Sequence, residues 1–146
     1  MAPKRPFGVT LLLWLVLSLS AWGVVRWLAA LRWWDVLIEF GARLPPLYLS
    51  ITGVAWAVVG GVLLWGLFTV KPWTRPGIPL AIMLWLAQYW IERIFFELPR
   101  ANLLFALLAS FVLLTVTLVS ALNRKTKTFL IRSEEHEQPN ENPESA

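Results

Sequence analysis

One short stretch of the chain carries polar residues whose types and spacing could support chemistry within an otherwise apolar sequence. Gln88 and Glu92 are four residues apart, so on a helix they lie about 40° apart on one face. Arg93 and Glu97 form a second pair with the same spacing on another side of that helix. Because Arg93 has an acidic partner and Glu92 has no basic partner on its own helix, Glu92 is the candidate to bind a proton or a cation.

Two arginines offer a structural role for Glu92 instead. Arg26 closes the first apolar run of the chain, and Arg32 follows in the next segment. A pair between Glu92 and either arginine would tie two helices together near the membrane boundary, and such a partly solvated pair stabilises a fold by about 1 kcal/mol or less. The sequence therefore predicts a polar site of Gln88, Glu92, Arg26 and Arg32, with the structural role as the preferred interpretation.

Enzymatic chemistry has little support in the residue types present. The chain has no cysteine and one histidine, which excludes thiol chemistry, cysteine-ligated metals and bis-histidine haem within it. His136 lies among glutamates in a polar tail, where one imidazole does not make a coordination shell. A pair of carboxylates from Asp35 or Glu39 with Glu92 or Glu97 is the remaining possibility. We predict no enzyme activity, no cofactor and no metal site.

The composition describes the elements that must position these residues. Of 146 residues, 58% are hydrophobic and 15% are charged, with a mean hydropathy of +0.62. Soluble globular proteins carry charge on about a quarter of their residues, and about 20 apolar residues are needed for one helix to cross a bilayer. The sequence predicts an all-α integral membrane protein, in one domain over 1–132, with four transmembrane helices at 7–25, 47–70, 78–96 and 101–122.

The segment between the first two predicted spans is too charged to cross a membrane and too apolar for a loose loop. Over residues 27–43, Arg32, Asp35, Glu39 and Arg43 fall within about 80° of a helical projection, and the aromatic residues lie elsewhere. This pattern is typical of an amphipathic helix that lies along the membrane interface.

The two ends of the chain are interpreted separately. Residues 133–146 are polar and acidic, with no apolar residue before the last position, and they predict a disordered tail. For residues 7–25, the alternative to an uncleaved span is a signal peptide that ends near Ser18-Leu19-Ser20. With four spans, eight Lys and Arg lie on the side of both termini and five lie on the other side. This bias predicts a cell-membrane protein with both termini in the cytoplasm.

Small residues recur at helical spacing in two of the predicted spans, as they do where transmembrane helices pack closely. They are Gly53, Ala57 and Gly61 in the second span, and Ala106, Ser110, Thr117 and Ala121 in the fourth. These two stripes predict helix packing within one chain or, as the less favoured alternative, between chains.

The predicted function is that of a non-catalytic membrane component that acts through helix contacts with itself or a larger membrane protein. We expect partners in the lipid bilayer and no nucleic acid. The alternative is an oligomeric small transporter or channel with Gln88 and Glu92 on a polar path. Small multidrug-resistance transporters also have four short spans, but their coupling acid lies in the first helix, and Phe7 to Val25 contains no acid.

Overall fold

The computed structural model describes residues 6–96 and 102–135, with side chains as far as Phe129. Within these ranges the regular structure is entirely α-helical. The six helices are α1 (Phe7–Arg32), α2 (Trp34–Glu39), α3 (Pro46–Phe68), α4 (Thr74–Phe96), α5 (Leu103–Leu122) and α6 (Arg124–Glu135).

Three of these helices, α1, α3 and α5, are long and apolar enough to cross a membrane. Their lengths of 26, 23 and 20 residues correspond to roughly 30–39 Å at the helical rise. Helix α4 has 23 residues and is equally long, but it carries Arg75, Glu92 and Arg93 and is less apolar. The all-helical class therefore agrees with the sequence analysis, and three of the four predicted spans correspond to helices that are long and apolar enough to cross a membrane.

The long helices run alternately up and down between two ends of the bundle. Gly8 near the start of α1 lies against Thr126 of α6, and Arg75 Nε at the start of α4 donates to the carbonyl of Ala121 near the end of α5, at 3.1 Å. At the opposite end, Arg26 of α1 pairs with Glu92 of α4. Helix α4 therefore extends over the same distance as α1, between the same two ends.

The segment from 27 to 43, predicted as one interfacial helix, instead divides between two helices. Helix α1 continues without a break through Arg26 to Arg32, and the chain turns at Trp33 before the six-residue helix α2. Gly41 then adopts a φ of 59°, a left-handed conformation that glycine tolerates. The first span therefore does not end at Arg26, where the first charge led us to place its boundary.

Helix α6 was not predicted from the sequence. It starts directly after Asn123, whose side-chain oxygen accepts a hydrogen bond from the backbone of Lys125 at 3.1 Å. Its last three residues, 133–135, belong to the stretch predicted as a disordered tail and are helical here. The rest of that prediction, including His136, lies outside the described residues.

The core is built from aliphatic side chains where α1, α3 and α4 meet. The buried members of this cluster are Leu12, Val16, Leu19, Leu63, Leu67, Ile78, Ala81, Ile82 and Leu86. Large apolar side chains also cover the outside, including Trp14, Trp65 and Phe105, which are 66%, 61% and 73% exposed. A bundle with an apolar interior and an apolar exterior suits a lipid environment, because the exterior would be costly to hydrate.

Candidate functional site

Arg26 and Glu92 form a two-pronged ion pair between α1 and α4. Arg26 Nη2 donates to Glu92 Oε1 at 2.6 Å, and Arg26 Nη1 donates to Oε2 at 2.9 Å. The side chains are 15% and 14% exposed. This parallel arrangement is the strongest geometry for an arginine and a carboxylate, and it joins residues that are 66 positions apart in the chain.

Two further donors complete the environment of the carboxylate. The hydroxyl of Tyr48 on α3 donates to Glu92 Oε1 at 3.0 Å, and Gln88 Nε2 donates to the same oxygen at 2.7 Å. The indole of Trp56 on α3 donates to Gln88 Oε1 at 2.5 Å. Because indole is only a donor, it fixes the amide of Gln88 with its NH2 group toward Glu92. We call these five residues the Glu92 network.

The network lies beside a close approach of α1 and α3. A Cβ atom added to Gly53 would lie 2.7 Å from the backbone nitrogen of Trp27, and one added to Gly23 would lie 2.5 Å from the backbone nitrogen of Ala57. Glycines at these two positions let the backbones meet without intervening side chains. The contact holds Arg26, three residues after Gly23, next to Tyr48, whose ring centroid is 5.9 Å from the guanidinium carbon.

The four residues of the predicted polar site have different positions in the structure. Gln88, Glu92 and Arg26 are brought together, whereas Arg32 is exposed near the end of α1 and forms no ion pair with any described residue. Arg93 donates to the hydroxyl of Tyr89 on its own helix at 2.6 Å. Its predicted partner, Glu97, lies outside the described residues.

The predicted small-residue stripe on α3 is only partly at a helix contact. Gly53 and Ala57 face α1, but Gly61 has no atom within 4 Å of an added Cβ. Gly60 contacts α1 instead, with an added Cβ 2.6 Å from the Cβ of Ser20. Seven residues make almost two complete helical turns, so Gly60 shares the face of Gly53, whereas Gly61 is rotated by about 80° from it.

The predicted stripe on α5 packs within the chain. Ala106, Thr117 and Ala121 are buried, and Ser110 accepts a hydrogen bond from the indole of Trp90 on α4 at 3.3 Å. These four residues therefore lie on the side of α5 that faces the rest of the bundle.

Sequence reasoning missed the contribution of α3 to the site. Tyr48 and Trp56 were treated as apolar residues of a span, although their polar atoms need partners when they are buried. The need of the Tyr48 hydroxyl and the Trp56 indole for hydrogen-bond partners, together with an unpaired acid on another predicted span, could have identified these two residues.

The Glu92 network has the chemistry of a structural link between helices α1, α3 and α4. An ionised carboxylate has about four favourable acceptor positions, and four hydrogen bonds reach Glu92. Within residues 6–96 and 102–135 no three side chains of His, Cys, Asp or Glu are grouped closely enough to hold a metal ion.

No known protein-family model, no curated protein and no solved structure matches this chain.

Proposed function

We propose that the chain is a four-span protein of the cell membrane, with both termini in the cytoplasm, and that it is a non-catalytic membrane component. It acts through helix contacts with a second copy or with a larger membrane protein. The observation that carries this proposal is the set of four hydrogen bonds that Arg26, Tyr48 and Gln88 donate to Glu92, because they give the one acid of the spans a structural role.

Four spans rather than three are supported by the path of α4. Its first turn lies beside the end of α5 and its last turn beside Arg26, so it covers the same distance as the helices that are apolar enough to cross. Its polar groups at Gln88 and Glu92 find partners inside the bundle, which is the condition for polar residues at membrane depth. Its outer side presents apolar residues such as Leu84 and Phe95, which are 57% and 76% exposed.

An interfacial position is supported for the segment that contains α2. Trp33 and Phe40 flank this short helix and are 53% and 80% exposed. Exposed aromatic side chains are enriched at the level of lipid headgroups. The segment follows the end of α1, where the chain would leave the hydrocarbon.

The alternative function, transport along a path through Gln88 and Glu92, requires the carboxylate to exchange protons or cations. In the network four donors already reach Glu92, three at Oε1 and one at Oε2. A transported ion would have to displace Arg26, Tyr48 or Gln88 during each cycle. The energy of those charge-assisted bonds therefore favours the structural role.

A cross-linking experiment tests the proposal directly. Because the chain contains no cysteine, single cysteines can be placed on three outward faces, at Trp14, Trp65 and Phe111, and labelled in membranes with a benzophenone maleimide. Thr117→Cys on the buried side of α5 is the control.

We expect a protein adduct from one outward face and none from Thr117→Cys. Absence of an adduct at all three faces would contradict a function based on helix contacts. Proton or sodium flux into vesicles that is lost in Glu92→Gln would also overturn the proposal, in favour of transport.

A further inference from the structure

Helix α6 lies across one end of the bundle and does not continue α5. Asn123, between the two helices, has an extended ψ of 131°. A Cβ atom added to Gly8 of α1 would lie 2.7 Å from Thr126 Oγ1 and 3.3 Å from the carbonyl oxygen of Ser120. On one straight helix, Ser120 and Thr126 would be separated by roughly 9 Å along the axis. Their common neighbour at Gly8 therefore means that α6 turns back toward the start of α1.

The first turn of α6 follows directly on apolar surface of the bundle. Val119 and Leu122 in the last turn of α5 are exposed, and so is Phe7 at the start of α1. Exposed side chains as apolar as these suit contact with lipid. Arg124 comes only two positions after Leu122, so the basic residues of α6 begin where the apolar surface ends.

The side of α6 that faces away from the bundle is basic. Thr126 is fully buried against α1, so it marks the side of α6 that packs on the bundle. On a helix, Arg124, Lys125 and Lys127 lie about 100° to 160° around the axis from Thr126. All three are exposed, and they therefore point away from the other helices.

The same three residues have no internal counter-charge among the described residues. The hydrogen bonds of Arg124, Lys125 and Lys127 involve their backbone atoms only, and no described acid pairs with their side chains. The first acid that follows them in the chain is Glu134, seven residues beyond Lys127, or roughly 10 Å along a helix. Three exposed cations in this position favour an anionic partner outside the chain.

We propose that α6 binds the headgroups of anionic phospholipids through Arg124, Lys125 and Lys127. The partner is a layer of lipid headgroups rather than an acidic protein, because these residues directly follow side chains that suit contact with lipid. Lysine and arginine next to the end of a transmembrane helix attract anionic headgroups and enrich them locally. This inference goes beyond the function proposed above and uses only its placement of the bundle in a membrane.

The enrichment can be measured by fluorescence quenching in vesicles that contain the full-length protein. Because the chain has no cysteine, Thr128→Cys on the exposed side of α6 accepts a single fluorophore. The vesicles consist of phosphatidylcholine with a small, equal fraction of spin-labelled phosphatidylglycerol or spin-labelled phosphatidylcholine, labelled at the same acyl-chain position. Both leaflets contain the quencher, so the orientation of the inserted protein does not affect the result.

Four variants are compared in this background. Lys127→Gln and Lys125→Gln/Lys127→Gln remove charge from exposed side chains without changing the packing of α6. Lys125→Arg/Lys127→Arg keeps the charge. Arg32→Gln is the matched control for Lys127→Gln, since it removes one exposed charge at the other end of α1.

With the natural charges, we expect an apparent association constant about fivefold higher for phosphatidylglycerol than for phosphatidylcholine, the effect of one Lys or Arg near an anionic surface. This preference decreases in Lys127→Gln and decreases further in Lys125→Gln/Lys127→Gln. It persists in Lys125→Arg/Lys127→Arg and in Arg32→Gln.

Four results would overturn the proposal. Equal quenching by the two lipids with the natural charges would show that headgroup charge is not recognised, and no quenching by either would place α6 away from the bilayer. An equal loss in Arg32→Gln and Lys127→Gln would show attraction to net charge alone. Loss of the preference in sodium phosphate, but not in sodium chloride of the same ionic strength, would identify a site for free phosphate. None of these results depends on a protein adduct, so lipid binding and the proposed helix contacts can fail separately.

Discussion

At the level of single residues, the hydrogen bonds of the Glu92 network all run from donors toward the carboxylate of Glu92. Each donor points toward the carboxylate, and Trp56 orients Gln88 so that its amide group does the same. The two parallel hydrogen bonds from the guanidinium of Arg26 are the geometry that arginine forms with an ionised carboxylate. The single positive charge of Arg26 then balances the single negative charge of Glu92.

Removal of one partner from this pair should destabilise the protein strongly. Glu92→Gln leaves the guanidinium of Arg26 without a counter-charge at a site where it is only 15% exposed. The expected loss is about 3 kcal/mol of unfolding free energy, as for buried pairs, rather than the 1 kcal/mol or less expected for an exposed pair. Reversible unfolding in detergent micelles would measure it.

A double-mutant cycle separates the interaction energy of the Arg26–Glu92 pair from the other effects of the two substitutions on stability. Arg26→Gln/Glu92→Gln should cost less than the two single variants added together, because the second substitution removes a charge that has already lost its partner. Tyr48→Phe, which removes one hydrogen bond and no charge, should cost about 1 kcal/mol. Strict additivity of the two single variants would contradict an energetic tie between α1 and α4.

At the level of helices, the contact between α1 and α3 depends on glycine. Gly23, Gly53 and Gly60 each face the backbone or the Cβ of the opposite helix. Because hydrophobic burial does not drive association between helices inside lipid, close backbone packing must provide much of the stability. The same contact fixes the position of Arg26 and Tyr48.

Two glycines of α3 provide a matched test of this packing. Gly53→Ala would place a Cβ 2.7 Å from the backbone of Trp27, whereas an added Cβ at Gly61 meets nothing within 4 Å. We expect Gly53→Ala to lower the unfolding free energy by about 1–3 kcal/mol through overpacking. Gly61→Ala should be neutral or stabilising by up to about 1 kcal/mol, since alanine favours helix. Equal effects of the two variants on thermal unfolding would exclude the proposed contact.

The helices α3 and α5 could be predicted closely from the sequence, but the end of α1 could not. The uncharged runs at 47–70 and 101–122 correspond to Pro46–Phe68 and Leu103–Leu122. At Arg26 a charge follows a long apolar run, and its acidic partner, Glu92, is 66 positions away in the chain. A local pattern cannot contain that information, so α1 was predicted to end too early.

In the candidate site, too, some residues could be predicted from their spacing in the sequence, and others depend on how distant helices pack. The spacing of Gln88 and Glu92 on one helix was sufficient to select them. The choice of Arg26 over Arg32 depends on which turn of α1 lies level with Glu92 of α4. The contributions of Tyr48 and Trp56 depend on how α3 packs beside α4. Arg26 was named because of its charge, whereas no charge marked the two aromatic residues.

At the level of the whole molecule, the net positive charge of the described residues is larger at one end of the bundle, because the acids Asp35, Glu39 and Glu92 lie toward the other end. Helix α6 presents Arg124, Lys125 and Lys127 as exposed residues next to the start of α1. Arg75, in the first turn of α4, contacts the end of α5 at the same end. This distribution is the one expected for an end that faces the cytoplasm and its anionic lipids.

The number of crossings can be tested through the location of the carboxyl terminus. If α1, α3, α4 and α5 all cross, the terminus returns to the side of Phe7, and alkaline phosphatase fused to it should be inactive in the cytoplasm. If only α1, α3 and α5 cross, the same fusion lies outside and is active. Insertion near Arg43 should give activity with either number of spans, which controls for expression and for the orientation of α1. An active carboxyl-terminal fusion beside an active insertion at Arg43 would therefore exclude four spans, and it would leave α4, with Glu92, to pack against the bundle without crossing the bilayer.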